Sequence, residues 1–301
     1  MSKIVYYLTP SSFCFGVKRS IDQLDDIISR HPGEKIFCVH SLVHNPKVTK
    51  DFEKQGVVFV ESIDEIRYEK AIVVFSAHGI NRKVLIQARQ KFKAVYNLEC
   101  PFVSKIYAEI QGFIEQGVMT FFYIGKEHHQ EGRNVLEYIT SQWWTYHVFY
   151  DKASVPKIDQ NIAFAVLSQT TLNFAYVQDI FEEIKKQYPN ASLPILSDVC
   201  KATYERQTVV LQNLKKFDTF IVIGGKESNN TKELYNIGIE NNKKSFYGES
   251  LEDILKYPEE ELFANDSVAI TGWASTPIED IKEIFDYYKN HGYEPRMLEL
   301  H

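Results

Sequence analysis

Cysteine, histidine, glutamate and hydroxyl side chains recur in this 301-residue chain at intervals that suit one composite site. Three cysteines set the frame: Cys14 in Phe13-Cys14-Phe15-Gly16-Val17, Cys100 in Glu99-Cys100-Pro101-Phe102-Val103, and Cys200 in Val199-Cys200-Lys201-Ala202-Thr203. Three thiols brought together leave one position of a metal site open for a reacting molecule. That pattern fits zinc, or an iron–sulfur cubane whose fourth iron lacks a protein ligand. Three separate core thiols are the remaining reading, because free cysteine is among the most buried residue types. Local Cys-x-x-Cys pairs, which zinc ribbons and ferredoxins commonly use, are absent. The fourth cysteine, Cys38, lies in the apolar run Ile36 to Val39 and is assigned to the core.

Six polar loops accompany the cysteines. They carry His44, then His78, then His129, then Thr170 and Thr171, then Ser228, Asn229 and Asn230, and finally Ser275. Neutral donors at helix starts, together with histidines that can take a proton, suit an anion such as a diphosphate. Glu131, two residues beyond His129, is the loop carboxylate placed to donate a proton, with Thr170 as its relay. Glu127 and Glu227 read as solvated. Gly224-Gly225-Lys226 lacks the Walker spacing and its Lys-Ser/Thr ending, and no dinucleotide fingerprint is present.

These residues need elements that present them at one edge. Each cysteine closes a β-like run (residues 4–8, 94–98 and 193–196) and opens a helical pattern, so each sits on a strand-to-helix turn. The cysteines are 86 and 100 residues apart. From each cysteine to the first loop the spacing is 30, 29 and 28 residues, and to the second 64, 70 and 75. The repeat predicts an α/β protein of three similar small units, 1–98, 99–197 and 198–301, in a pseudo-threefold arrangement. The N-terminal strand within 1–13 completes the third unit. In parallel α/β sheets ligands bind beyond the carboxyl ends of the strands, where all three cysteines and all six loops fall. Helix starts are marked by Asn45-Pro46, by Ser62 with Glu65, by Ser250 with Asp253, and by the capping box Thr276-Pro277-Ile278-Glu279.

Composition excludes several classes. The chain is 44% hydrophobic and 25% charged, ordinary for a globular protein, with a formal charge of −6. That balance, without a basic run, argues against a nucleic-acid or anionic-membrane partner. No apolar stretch approaches a membrane span, the first ten residues do not read as a signal peptide, and four cysteines do not make a disulfide scaffold. A cytoplasmic protein is expected.

With these residues laid out, the sequence resembles the 4-hydroxy-3-methylbut-2-enyl diphosphate reductases, iron–sulfur enzymes that end the non-mevalonate isoprenoid pathway. The matching pieces cover nearly the whole chain: Phe-Cys-Phe-Gly-Val-Lys-Arg at 13–19, Val-His-Asn at 43–45, Ser-Ala-His-Gly at 76–79, Cys-Pro at 100–101, and His-x-Glu at 129–131. They continue with Gln-Thr-Thr-Leu at 169–172, Cys-x-Ala-Thr at 200–203, Ser-x-Asn at 228–230 and Ala-Ser-Thr-Pro at 274–277. Nine weak motifs in order are specific together. The resemblance implies three α/β lobes around a central 4Fe-4S cluster with one open iron site, held by Cys14, Cys100 and Cys200. It also implies an allylic diphosphate held by His44, His78, His129, Ser228, Asn230 and Ser275, and reductive dehydroxylation to isopentenyl and dimethylallyl diphosphate. Without a flavin or nicotinamide signature, the electrons are expected from a ferredoxin or flavodoxin. The chain departs from the family pattern at Ser12, Leu98-Glu99, Gln130, Asn229 and Trp273, whose bulk is expected to narrow the diphosphate end of the pocket. Two alternatives stand beside this reading: a divergent paralogue reducing another allylic diphosphate, and a non-enzymatic iron–sulfur sensor or carrier.

Overall fold

The computed structural model describes residues 2–194, 198–226 and 228–300, apart from the side chain of Asn229. In chain order the first elements are β1 (Ile4–Thr9), α1 (Phe15–Arg30), β2 (Ile36–Val39), α2 (Pro46–Lys54), β3 (Val57–Val60), β4 (Ile72–Phe75), α3 (Arg82–Lys91) and β5 (Ala94–Asn97). Next come α4 (Pro101–Glu115), β6 (Thr120–Ile124), α5 (Gln130–Thr140), β7 (Thr145–Phe149), β8 (Phe164–Ser168) and α6 (Phe174–Gln187). The last stretch contains α7 (Lys201–Asn213), β9 (Thr219–Ile223), α8 (Asn229–Glu240), β10 (Lys244–Gly248) and α9 (Leu251–Ile254). It closes with α10 (Glu259–Leu262), β11 (Ser267–Gly272), α11 (Ile278–Asn290) and β12 (Glu294–Glu299).

The strands form three parallel sheets, ordered β3-β2-β4-β5, β7-β6-β8 and β10-β9-β11-β1-β12. Parallel pairing needs a long crossover between neighbours, and these crossovers are helices that cover both faces of a sheet. Strands covered in this way read as near-continuous apolar runs: every residue of β4, β8 and β9 is buried. Contacts group the chain into two compact units: Met1–Val17 with His44–Pro46 and Lys201–His301, and Lys18–Val43 with Lys47–Cys200.

The first unit is built on the five-stranded sheet, with β1 inserted between β11 and β12. Successive side chains of a strand face opposite ways, so β1 and β9 feed two cores. Val5, Ile221 and Ile223 pack with Ile281 and Ile284 of α11 on one face. Tyr6, Leu8, Phe220 and Val222 pack with Val209, Val210 and Leu234 of α7 and α8 on the other.

The second unit holds the other two sheets. Val73 and Phe75 of β4 pack with Leu85 and Ala88 of α3. In the three-stranded sheet, Phe122, Ile124 and Val166 face α6, while Phe121, Tyr123, Ala165 and Leu167 face α4 and α5. Within the unit, Asn134 Nδ2 of α5 donates to Gly79 O at 3.1 Å, and Asn81 Nδ2 donates to Glu137 Oε2 at 3.1 Å.

Three local features differ from the sequence reading. The run expected as a strand before Cys200 makes an isolated parallel bridge one residue earlier, Ser192 to Ala165; its residues 195 and 196 lie outside the described residues. Thr276 does not cap α11: its hydroxyl donates to Ile223 O at 2.9 Å, and the helix starts after Pro277. The edge strand β12 was not predicted. Most of its residues are exposed, so it carries no alternating apolar signal.

Candidate active site

In the second unit the polar loops follow strand ends and open helices. His78 lies just past β4, with Ser76 Oγ 3.4 Å from its Nδ1. His129 is the N-cap of α5: Nδ1 accepts from Glu131 N at 3.3 Å, so a neutral ring carries its proton on Nε2. That cap leaves Glu131 in the first turn, facing inwards and 3% exposed. Thr170, just past β8, meets it with both its donors: Thr170 N to Glu131 Oε1 at 2.7 Å and Thr170 Oγ1 to Oε2 at 2.6 Å.

Two opposed effects act on this carboxyl. Burial away from water favours the neutral acid, whereas the Thr170 donors favour the anion. Burial is the larger, and the pKa is raised to about 7. A carboxylic acid at that value can both hold and release a proton near neutral pH, as a general acid must. Glu127, by contrast, is exposed as expected, and Glu227 lies outside the described residues.

Gln169 adds a residue the sequence reading quoted only as part of a motif. Fully buried, it donates from Nε2 to Thr171 Oγ1 at 2.7 Å and accepts from Lys126 N at 3.2 Å. Its amide thereby joins the loop after β6 to the loop after β8 and turns Thr171. Its signal in sequence was only an amide between two strand-end hydroxyl residues.

In the first unit a second set assembles. Ser275 Oγ donates to His44 O at 3.3 Å, and Asn45 Nδ2 donates to Ser275 O at 2.8 Å. Gly225 passes so close that a Cβ there would stand 2.6 Å from His44 O. Ser228 caps α8 by accepting from Thr231 N, and Asn230 follows in the first turn. Burial lowers the pKa of His44, so its ring stays neutral unless an anion is beside it. Ser228, Ser275, His44 and the start of α8 offer donors and a positive helix end, as a phosphate group requires. The side chain of Asn229 lies outside the described residues.

Trp273 does not act as expected. It is 2% exposed and packs with Val209, Phe220 and Leu234, its ring 5.8 Å from the guanidinium of Arg206. Arg206 in turn donates from Nη2 to Ser12 O at 2.6 Å. The indole is core, taken in between α7 and α8.

The three expected ligand cysteines share one placement. Cys14 immediately precedes α1 and its Sγ accepts from Val17 N at 3.4 Å; Cys100 is the N-cap of α4; Cys200 immediately precedes α7. None of the three is in a disulfide, and all are partly accessible. A helix N-terminus lowers the cost of a thiolate, the form that binds metal. Cys38 is the opposite case: it is buried in β2, where desolvation pushes its thiol up to about 12. Each of these three turns thus offers a thiol of the kind that can bind metal as thiolate. Among the described residues, no three His, Cys, Asp or Glu side chains gather closely enough to hold a single ion, and no helix is long and apolar enough to cross a membrane.

The chain is similar to known proteins over nearly its whole length. The 4-hydroxy-3-methylbut-2-enyl diphosphate reductase of Wolbachia pipientis subsp. Culex pipiens is 30% identical, covering 93% of this chain and 90% of its own. The enzyme of the same name from Buchnera aphidicola subsp. Schizaphis graminum is 33% identical over 95% of this chain and 90% of its own. In structure, the E-1-hydroxy-2-methyl-but-2-enyl-4-diphosphate reductase of Plasmodium falciparum superposes with a TM-score of 0.90 at 24% identity, covering 99% of this chain and 92% of that one. The profile of the LytB protein family matches residues 5–289, and the chain belongs to that family.

Proposed function

We propose that this chain is a 4-hydroxy-3-methylbut-2-enyl diphosphate reductase, an oxidoreductase performing the last step of the non-mevalonate isoprenoid pathway. It removes the allylic hydroxyl as water, taking up two electrons and two protons, and yields isopentenyl or dimethylallyl diphosphate. The observation that carries this is the buried Glu131–Thr170 pair, an acid with a pKa near neutrality whose partner hydroxyl is 2.6 Å away.

Cys14, Cys100 and Cys200 would hold a 4Fe-4S cluster. When bound, that group supplies an open Lewis-acidic iron for the substrate hydroxyl and passes on electrons singly. The chain's own residues do the rest. His44, Ser228, Asn230 and Ser275 bind the diphosphate, and His78, His129, Thr171 and Asn229 complete its contacts. Thr170 passes the Glu131 proton to the leaving oxygen, because its hydroxyl can accept from the acid while donating onwards. A ferredoxin or flavodoxin supplies the electrons, and a reducing cytoplasmic compartment suits four cysteines that form no disulfide. The burial of Trp273 removes the observation that favoured another allylic diphosphate.

The test is the anaerobic spectrum of the full chain with and without the substrate. A brown iron–sulfur chromophore that changes when the diphosphate is added is expected. A colourless protein after reconstitution, or a spectrum indifferent to substrate, overturns the proposal.

A further inference from the structure

The loop after β9 carries a lysine that the reaction described above does not use. Lys226 follows Gly224 and Gly225 and stands two residues before Ser228. It is turned towards the loop after β10. Lys226 N donates to Glu249 Oε1 at 2.9 Å, and Lys226 Nζ donates to Asp253 Oδ1 at 3.1 Å. Asp253 is itself fixed. It lies in the first turn of α9, its Oδ2 accepts from Glu249 N at 3.1 Å, and Lys256 Nζ donates to its Oδ1 at 2.6 Å. Lys256 above all holds this carboxyl down at about 2, so Asp253 is ionised throughout the neutral range. The backbones of the two loops meet as well, Gly224 N donating to Gly248 O at 2.9 Å.

This tie reaches the anion-binding residues through a single peptide group. The N–H of the Gly225–Lys226 peptide goes to Glu249, and its carbonyl, Gly225 O, accepts from Ser228 N at 2.9 Å. A peptide group is planar, so holding its N–H also aims its carbonyl. The turn that presents the Ser228 hydroxyl is thereby oriented from Glu249. Gly225 is confined on both sides: a Cβ there would stand 2.6 Å from His44 O and 3.9 Å from Glu249 Oε1.

We propose that Glu249 is a positioning residue for the diphosphate, setting Ser228 and the start of α8 through the Gly225–Lys226 peptide. This rests on the reading of Ser228 as a diphosphate ligand. By its charge alone, a carboxylate bonded to this loop opposes an anion. By its hold on the peptide it preorganises the site. Removing it therefore separates the two effects by sign.

The experiment is steady-state kinetics of the reconstituted full chain under anaerobic conditions, with the allylic diphosphate varied and a reduced viologen dye as electron source. Glu249→Ala should raise KM about tenfold, with kcat and the cluster spectrum as in the wild type. Glu249→Gln keeps an oxygen that can accept from Lys226 N and should recover most of that loss. Asp253→Asn, which weakens the hold on Lys226 Nζ, should raise KM by less. A KM that is unchanged or lowered in Glu249→Ala, or equal in the alanine and glutamine variants, overturns the inference, as does a loss of kcat as large as the rise in KM. If Glu249→Ala fails to fold, Asp253→Asn decides alone, and a KM that does not rise overturns it. Ser228→Ala separates the two readings: an unchanged KM there sinks the diphosphate assignment, whereas a raised KM there with none in Glu249→Ala sinks this inference alone.

Discussion

Replacing Glu131 by glutamine should stabilise the protein in mild alkali while abolishing most turnover. Burial raises the carboxyl from its ordinary value of 4.5 to about 7. Below about 4.5 the group is protonated in folded and unfolded chains alike, so pH has no purchase on it. Between about 4.5 and 7 the unfolded chain gives up a proton that the folded chain keeps, and stability falls as pH rises. A displacement of roughly 2.5 units at about 1.4 kcal/mol each is on the order of 3 kcal/mol, lost in full by pH 8. Glutamine has the same shape, can accept from Thr170 N, and does not titrate. Denaturant unfolding of the cluster-free protein at pH 5 and pH 8, under reducing conditions, reads the effect directly. Wild type and Glu131→Gln should be close at pH 5, with the variant ahead by up to about 3 kcal/mol at pH 8. Loss of a general acid should meanwhile cost about 10²- to 10⁴-fold in turnover, with the cluster spectrum retained. If both proteins show the same pH slope of stability, burial does not hold this carboxyl neutral, and its assignment as the proton donor fails.

Two further substitutions address other parts of the argument. Cys38→Ala should leave the iron content per chain unchanged and cost about 1–2 kcal/mol of stability, the loss of one small buried group; iron analysis and denaturant unfolding check both halves. Gly225→Ala would set a methyl 2.6 Å from His44 O and must push apart the two loops that carry His44 and Ser228. KM for the diphosphate should rise about tenfold or more, because displacements near 1 Å are costly in a preorganised site, while the cluster spectrum stays as it was.

Much of this molecule was legible because its strands and turns repeat. Buried parallel strands such as Ile72–Phe75 and Thr219–Ile223 are continuous apolar runs with polar residues at their carboxyl ends, so both the strand and its loop announce themselves. The separation of Cys38 from the other cysteines followed from the same reading, since it lies inside a run and they lie after one. What could not be read depended on which side a residue faces. Trp273 sits in a polar loop beside Ser275, yet its ring turns into the core under Arg206. Thr276 had the spacing of a cap, yet its hydroxyl found the closer carbonyl of Ile223. Glu99 stands next to Cys100 in sequence, but only the folded chain shows Arg82, Ser104 and Gly79 closed around its carboxylate. In each case a partner distant in sequence decided the outcome.

The balance at Glu131 shows why the acid needs its whole surroundings. Standing in the first turn of α5, it lies where the helix dipole favours an anion, and Thr170 adds two donors that do the same. Left to these, the carboxyl would ionise readily and have no proton to give. Packing reverses that. Gly132 lies so near the loop that a Cβ would stand 2.5 Å from Lys126 O, and a Cβ on Gly125 would stand 2.7 Å from the Tyr123 ring. The two glycines let the chain fold down over Tyr123 and keep water from the carboxyl. Burial then outweighs the donors by enough to bring the pKa to about 7 and no further. A larger residue at Gly132 would lift this turn and admit water, so the pKa should fall towards 4.5 while the Thr170 contact weakens. A carboxyl that keeps its proton near neutral pH is thus made by two missing side chains as much as by Glu131 itself.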